Sequence, residues 1–154
     1  MSDVPHVMIV EARFHEDIAD ELLRGATAVL EEAGVSHERF AVPGALEIPA
    51  AINYAVRSLE FYTGRRRFDG YVALGCVIRG ETTHYDYVCQ ESARKLMDLQ
   101  VEHMLALANG ILTVENEEQA WARARVDRKN RGGAAARACL QMIEVKRQFR
   151  LYPR

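Results

Sequence analysis

The apolar residues of this chain alternate between short unbroken runs and longer stretches with helical spacing. Residues 7–10 and 70–78 are runs of the kind found in strands buried on both faces. Between and after such runs, apolar side chains recur every three or four residues, and Gly34 follows the first of these stripes as a helix-ending residue. The pattern predicts the element order β-α-β-α-β-α-β-α-α, without repeats or linkers.

Strands that alternate with helices in this way are parallel, joined by right-handed crossovers, and covered by helices on both faces. The sequence therefore predicts a single α/β domain over residues 1–154, a three-layer α/β/α sandwich around a four-stranded parallel sheet. Sheets of this type bind ligands in the crevice beyond the carboxyl ends of their strands. Residues that follow strands are therefore the first candidates for function.

Composition excludes several other classes of protein. Lys and Arg total 20 against 22 Asp and Glu, and the resulting net charge of −2 is unlike that of the basic domains that bind nucleic acid. No apolar run reaches the roughly 18 residues of a membrane-spanning helix. The three cysteines lack the spacing of a disulfide framework or a zinc site, so we expect a cytoplasmic protein without a metal.

Two predicted strand ends carry candidate ligand-binding residues. Phe14 follows the first strand, where its ring could stack on a planar ligand or pack against the next helix. Glu47 follows the second strand near a predicted helix start, where its carboxylate could cap the helix or bind a ligand. The residue types alone leave both alternatives open at each position.

The loop after the third strand, residues 75–86, is the most specific feature of the sequence. Gly75 and Gly80 have the spacing of a phosphate-binding P-loop, but Glu81 stands where that motif has its lysine, which excludes a nucleoside-triphosphatase. Backbone N–H groups and hydroxyls at a helix start still suit a phosphate. His84 lies in the same loop, either as a general acid and base or as a structural histidine.

Other polar residues give weaker indications. Arg123 and Arg131 belong to a basic cluster near the last interhelical turn, which is either a solvated face or a source of anion-binding guanidinium groups. Cys76 is expected to be a packed thiol rather than a nucleophile. The neighbours His15 and Glu16 lack the spacing of zinc ligands.

Taken together, several segments resemble the lumazine synthase (6,7-dimethyl-8-ribityllumazine synthase) family of riboflavin biosynthesis. The segments are ARF at 12–14, VPGALEIP at 42–49, GCVIRGETTHYDYV at 75–88, GILTVEN at 110–116 and NRG at 130–132. The resemblance is collinear over about residues 6–148 and implies a flavodoxin-like fold. It also implies a transferase that condenses 5-amino-6-(D-ribitylamino)uracil with 3,4-dihydroxy-2-butanone 4-phosphate, without metal or cofactor.

The resemblance implies roles for particular residues. His84 would transfer protons, Glu81 and Thr82 would hold the phosphate of the four-carbon substrate, and Arg123 would close on that phosphate. Phe14 would stack on the pyrimidine ring. The rest of the ribitylaminouracil site would be formed by Ala45, Leu46, Glu47, Cys76, Val77, Ile78, Asn109 and Arg131.

Three positions depart from the family pattern. Gly133 and Ala134 occupy the region where many members carry an acidic residue that orients the histidine, so Asp86 is expected to substitute or His84 to be less well oriented. Asn109 stands where some relatives have an aromatic residue. Arg131 replaces the commoner lysine, and its geometry would differ.

The resemblance further implies a homo-oligomer of pentamers, alone or in larger particles, with active sites between neighbouring subunits. Arg123 would then face the ligand of one subunit while Phe14 or Asn109 comes from another. Two other functions stay open at this point. One is a catalytically weak flavin- or lumazine-binding carrier or scaffold, and the other is a flavodoxin-like electron carrier.

Overall fold

A computed structural model describes residues 4–60 and 66–152 of the chain. In this part of the chain the elements follow the predicted order. The strands are β1 (His6–Ala12), β2 (Ser36–Val42), β3 (Gly70–Ile78) and β4 (Ala106–Val114). The α-helices are α1 (Glu16–Glu32), α2 (Ile48–Glu60), α3 (His84–Glu102), α4 (Glu117–Ala124) and α5 (Arg131–Gln148), and a short 3-10 helix, Ala45–Glu47, precedes α2.

The strands form a parallel sheet with the order β2-β1-β3-β4, which confirms the predicted topology. Along β1, successive side chains point to opposite faces of the sheet. Val7 and Ile9 pack in a core shared with α1 and α5, whereas Met8 and Val10 pack in a core shared with α2 and α3. Helices therefore cover both faces, and the protein is a three-layer α/β/α sandwich of flavodoxin-like topology.

The edge strand β2 is longer than its apolar residues indicate. The sequence predicts a strand only around residues 40–42, but pairing with β1 extends from Ser36 opposite His6 to Val42 opposite Ala12. Its polar residues are tolerated because an edge strand is only partly buried and because Glu38 pairs with His6 at 2.7 Å. A hydrophobicity pattern misses such a strand because its stabilising contacts are polar.

Two turns with positive φ fix the end of α1 and the start of α5. Gly34 has a φ of 71° directly after α1, the left-handed conformation expected of a helix-ending glycine. Asn130 has a φ of 46° before α5, and its side chain accepts a hydrogen bond from the N–H of Gly133 at 3.2 Å. This cap fixes where α5 begins and hence where Arg131, its first residue, is placed.

Close packing of α5 on α1 depends on Gly132. A Cβ atom at this position would overlap the carbonyl oxygen of Leu22 in α1. The NRG segment therefore has two features: Gly132 packs against the backbone of α1, and Arg131 supplies a guanidinium group. Within residues 4–60 and 66–152, none of the helices combines the length and the apolar character needed to cross a membrane.

Candidate active site

A cleft of about 410 Å³ lies beyond the carboxyl ends of β1, β2 and β3. We call it the strand-end cleft. It contains seven of the residues that the resemblance assigns to substrate binding, together with His84. Its full lining is Phe14, His15, Pro43, Gly44, Ala45, Leu46, Glu47, Cys76, Val77, Ile78, His84 and Val88. The parallel topology explains this grouping, since the three strands deliver the residues that follow them to one edge of the sheet.

Phe14 presents its ring to the cleft rather than to the core. The residue is 78% exposed, so the alternative in which it packs against the following helix is wrong. Its only ring contact in the described part of the chain is an edge-on contact with His15, with 5.0 Å between ring centroids. An exposed aromatic face beside a cavity is suited to stacking on a planar ligand.

The turn that carries Phe14 is held by a buried ionic network. Glu11, in β1, is only 1% exposed, and its carboxylate accepts hydrogen bonds from Arg13 at 2.6 Å and from Arg39 of β2 at 2.9 Å. Arg13 also bonds to Asp20 of α1. This network was not predicted from the sequence, although a glutamate inside an apolar strand is a signal that could have revealed it.

Glu47 is exposed at the end of the 3-10 helix, next to the start of α2. Across the described residues its carboxylate makes no hydrogen bond or ion pair. The carboxylate lies near the backbone of Gly44, where an added Cβ would be 3.2 Å from the Glu47 Oε1 atom. The cap alternative has no bond to support it, whereas a free carboxylate in the cleft can accept hydrogen bonds from hydroxyl groups.

The segment at the end of β3 supplies the floor of the cleft. Cys76, Val77 and Ile78 are half-buried there. Burial raises the pKa of the Cys76 thiol to about 12, so the thiol is neutral at physiological pH. The half-burial and the raised pKa agree with the expectation of a packed thiol.

His84 is the first residue of α3 and faces the cleft from its rim. Its backbone N–H donates to the Thr82 hydroxyl at 3.3 Å, and no side chain caps the helix at Thr83. Glu81 and Thr82 lie in the exposed loop just before the helix, outside the cleft lining. The N–H of Asp86 donates to the Thr83 carbonyl at 3.0 Å, whereas the N–H of Tyr85 makes no hydrogen bond among the described residues and can donate to an anion.

Asp86 was expected either to orient the His84 ring or to leave it less well oriented. Its carboxylate lies 3.5 Å from Nη1 of Arg79 and makes no hydrogen bond to the imidazole. In the residues that the structure describes, the His84 ring has no hydrogen-bond partner, which agrees with the second alternative.

The remaining candidates lie elsewhere, in a groove of about 550 Å³ along the free edge of β4 between α3 and α5. We call it the edge groove, and it contains Asn109, Arg123, Arg131 and Ala134. A single chain thus does not bring these residues to Phe14 and His84. The resemblance had allowed Arg123 and Asn109 to serve different subunits' ligands, but the structure places them in one groove.

Several side chains of the edge groove are already engaged. Asn109 Oδ1 accepts from the N–H of Ile111 at 2.9 Å, and Gln100 donates through Nε2 to the carbonyl of Leu107. Arg123 donates through Nη1 to the Gln119 carbonyl at 3.1 Å, which leaves other guanidinium N–H groups available. Ala134 is half-buried in the lining, so the groove has no carboxylate at this position.

No group of three or more His, Cys, Asp or Glu side chains is arranged to hold a metal ion within residues 4–60 and 66–152. In the same ranges, all three cysteines are free thiols.

Comparison with known proteins gives a consistent result across nearly the whole chain. The sequence model of the 6,7-dimethyl-8-ribityllumazine synthase family matches residues 5–147. A protein of that name from Bartonella tribocorum is 58% identical over 149 residues, which cover 97% of this chain and 95% of the relative. The protein of that name from Agrobacterium fabrum is 58% identical over 145 residues, covering 94% and 97%. A third relative, 6,7-dimethyl-8-ribityllumazine synthase 1 of Rhizobium meliloti, is 58% identical over 144 residues, covering 94% and 93%. The chain therefore belongs to the 6,7-dimethyl-8-ribityllumazine synthase family.

Proposed function

We propose that this protein is a lumazine synthase. It condenses 5-amino-6-(D-ribitylamino)uracil with 3,4-dihydroxy-2-butanone 4-phosphate, releasing inorganic phosphate and water, in the penultimate step of riboflavin biosynthesis. The observation that carries this proposal is the strand-end cleft, in which an exposed aromatic ring, a free carboxylate and an imidazole face one cavity.

Each of these groups has a chemical task in the proposed reaction. The Phe14 ring stacks on the pyrimidine, the Glu47 carboxylate accepts hydrogen bonds from ribityl hydroxyls, and Ala45, Leu46 and residues 76–78 line the same substrate. Schiff-base formation, phosphate elimination and ring closure each move protons between heteroatoms. An imidazole, with an ordinary pKa near 6.5, can donate and accept protons at neutral pH, which suits His84 to these steps.

The phosphate is bound in this proposal by the start of α3. Glu81 contributes its backbone and Thr82 its backbone and hydroxyl, next to uncapped helix N–H groups at the positive end of the helix dipole. An arginine then stabilises the charge that develops on the leaving phosphate. Arg123 has free guanidinium N–H groups for this role but lies in the edge groove, away from the loop.

We therefore propose that the complete site forms between two chains, with the strand-end cleft of one facing the edge groove of the next. Asn109, Arg123 and Arg131 then come from the neighbour. The assembly is a pentamer or a multiple of pentamers, as the resemblance implies. Exposed apolar side chains support an interface, among them Tyr54, Met97 and Val101, which are 71%, 59% and 71% exposed.

The proposal also covers the cellular compartment of the protein and the extent of its domain. The free thiols Cys76, Cys89 and Cys139 suit the reducing cytoplasm, which we propose as the place of action. Residues 4 and 148–152, outside the family match, are proposed to belong to the same single domain, while residues 1–3 and 153–154 lie outside the described part of the chain.

Incubation of the purified protein with both substrates tests the function. Formation of the lumazine, followed by its absorbance at the edge of the visible range, together with stoichiometric release of phosphate, is the expected result. A folded protein that binds riboflavin tightly but forms no product would instead support the carrier or scaffold alternative.

A further inference from the structure

The loop that precedes His84, residues 79–83, lacks the burial that fixes most of the site. All of its residues are exposed, as is His84 itself. Its backbone is tied to the sheet by a bond from the N–H of Arg79 to the carbonyl of Val114 at 3.0 Å. Beyond that point the loop turns into α3 without a side-chain cap. Within one chain, the loop and His84 therefore depend on polar contacts more than on burial for their arrangement.

Arg79 makes the contacts that tie this loop to its surroundings. Its Nε donates to Glu115, the residue after β4, at 2.6 Å, and its Nη1 lies 3.5 Å from Asp86 in the first turn of α3. The guanidinium carbon also lies 4.4 Å from the ring centroid of Tyr85. One side chain thus joins the start of the loop, the end of β4 and the helix that carries His84.

We propose that Arg79, held by Glu115 and Asp86, is a positioning residue that sets the 79–83 loop relative to His84 for the phosphorylated substrate. This inference rests on the proposed function, since it concerns the same loop. It assigns to Arg79 an effect on phosphate binding that passes through the loop and not through direct contact with the phosphate.

The alternative, in which Arg79 itself binds the phosphate, conflicts with its surroundings. Two guanidinium nitrogens face carboxylates, and a ring covers the guanidinium group. One positive charge beside two negative charges leaves the cluster net negative, which repels a phosphate. The planar fork of arginine does suit a clamp between two carboxylates, because it offers donors in fixed directions.

Two variants separate positioning from direct binding. Arg79→Met removes the charge and fork but keeps an apolar chain beside Tyr85. Glu115→Gln removes the negative charge of one anchor and leaves Arg79 unchanged. Arg94→Met is the matched control, since Arg94, in α3, also pairs with two carboxylates, those of Glu91 and Asp98, and does not line the cleft. Each protein is assayed for kcat and for the KM of each substrate, for inorganic phosphate binding by calorimetry, and for hydrogen exchange of the peptide covering residues 79–90.

Arg79→Met should lower kcat/KM for the phosphorylated substrate roughly 10- to 100-fold, as expected when reacting groups lose their alignment. The KM of the ribitylaminouracil should stay within about twofold, because its pocket is formed by other segments. Exchange of the loop amides should accelerate, and Arg79→Lys, which keeps the charge without the fork, should be intermediate. Arg94→Met should match the wild type in every assay.

The direction in which Glu115→Gln changes phosphate affinity decides whether Arg79 positions the loop or binds the phosphate directly. A positioning clamp predicts weaker phosphate binding, although a negative charge has been removed. Stronger phosphate binding in Glu115→Gln, or loop exchange unchanged in Arg79→Met, would overturn the inference. If the wild-type protein forms no lumazine, the proposed function fails on its own, while phosphate binding and loop exchange still decide the role of Arg79.

Discussion

Glu11 interrupts the apolar sequence of β1, and its carboxylate is buried against two guanidinium groups, those of Arg13 and Arg39. A buried carboxylate without partners would be strongly destabilising, so the two arginines are required for this strand to be central in the sheet. The network also holds the turn that presents Phe14 to the cleft. Glu11 therefore contributes both to the stability of the sheet and to the position of the ring that is available to a ligand.

Glu11→Gln should lower the free energy of unfolding by about 3 kcal/mol, because it leaves two guanidinium groups facing a neutral amide. Urea titration followed by circular dichroism measures the change. Glu91→Gln is the control, since Glu91 pairs with Arg94 on an exposed helix surface and should unfold like the wild type. Equal stability of Glu11→Gln and the wild type would contradict the structural role of the network.

His84→Ala should lower kcat about 100- to 10,000-fold, the range for loss of a general acid and base. Affinity for riboflavin, measured by fluorescence titration, should largely survive, because the other cleft residues remain in place. His103→Ala, at the end of α3 and outside the cleft, should retain activity. Parallel loss of turnover and affinity in His84→Ala would indicate a structural histidine.

Stability at high pH should depend on Cys139. Burial raises the pKa of this thiol from 9.0 to about 12, so the unfolded chain releases the proton first as the pH rises. The contribution is therefore fully present below pH 9 and is lost between pH 9 and about 12, at about 1.4 kcal/mol per pH unit. Urea titrations at about pH 8 and about pH 10 should show that the free energy of unfolding falls between these two pH values. The fall should be smaller by about 1.4 kcal/mol in Cys139→Ala than in the wild type. Identical pH dependence in the two proteins would contradict the assignment.

At the scale of elements, the contact between α1 and α5 determines where the edge groove lies. Gly132 allows the two helices to approach until backbone meets backbone, and the Asn130 turn starts α5 at that point. Arg131 and Ala134 are then carried into the groove by the first turn of α5. A side chain at position 132 would separate the helices and displace both residues.

Gly132→Ala should therefore destabilise the fold by about 3 kcal/mol, at the upper end of the range for overpacking, since the atom it meets is backbone. Thermal unfolding of the purified variant measures this. Gly80→Ala is the comparison, because a Cβ at Gly80 meets nothing within 4 Å and its φ is not in the left-handed region. An unfolding temperature unchanged in Gly132→Ala would show that the helices can move apart freely.

The element order and the strand-end location of the cleft could be predicted from the sequence, because both follow from hydrophobic period and from the geometry of parallel sheets. The extent of β2 could not, since Ser36, Glu38 and Arg39 are stabilised by partners that are distant in sequence. The role of Arg79 was equally hidden, because its partner Glu115 lies 36 residues away. Spacing within a motif reports local geometry and gives no information about such pairs.

At the scale of the whole molecule, the cleft and the groove lie on different parts of one chain, and the proposed reaction needs both. A chain on its own would hold the proposed proton-transfer residue, His84, without Arg123, which is proposed to bind the leaving phosphate. Activity should therefore depend on assembly, and defects in the two regions should complement each other.

Two inactive variants, His84→Ala and Arg123→Ala, test this directly when they are co-expressed with different tags and purified as mixed assemblies. In a closed ring with random mixing, about a quarter of the interfaces combine an intact cleft with an intact groove, so about a quarter of wild-type activity should return. Mixing the separately assembled variants without exchange is the control. Mixed assemblies no more active than their parents would contradict a site shared between chains.

The hydrogen bonds of Gln100 and Asn109 to the backbone of β4 affect how readily the unassembled chain can aggregate. An outermost strand with unused N–H and C=O groups is a template onto which other strands add without limit, and this leads to aggregates. Gln100 occupies the Leu107 carbonyl and Asn109 occupies the Ile111 N–H, so the edge of β4 is partly closed by its own protein. The edge of β4 is thus protected in a newly made chain before it assembles. Side-chain contacts, rather than continuous strand pairing, then determine which surface of another chain it binds.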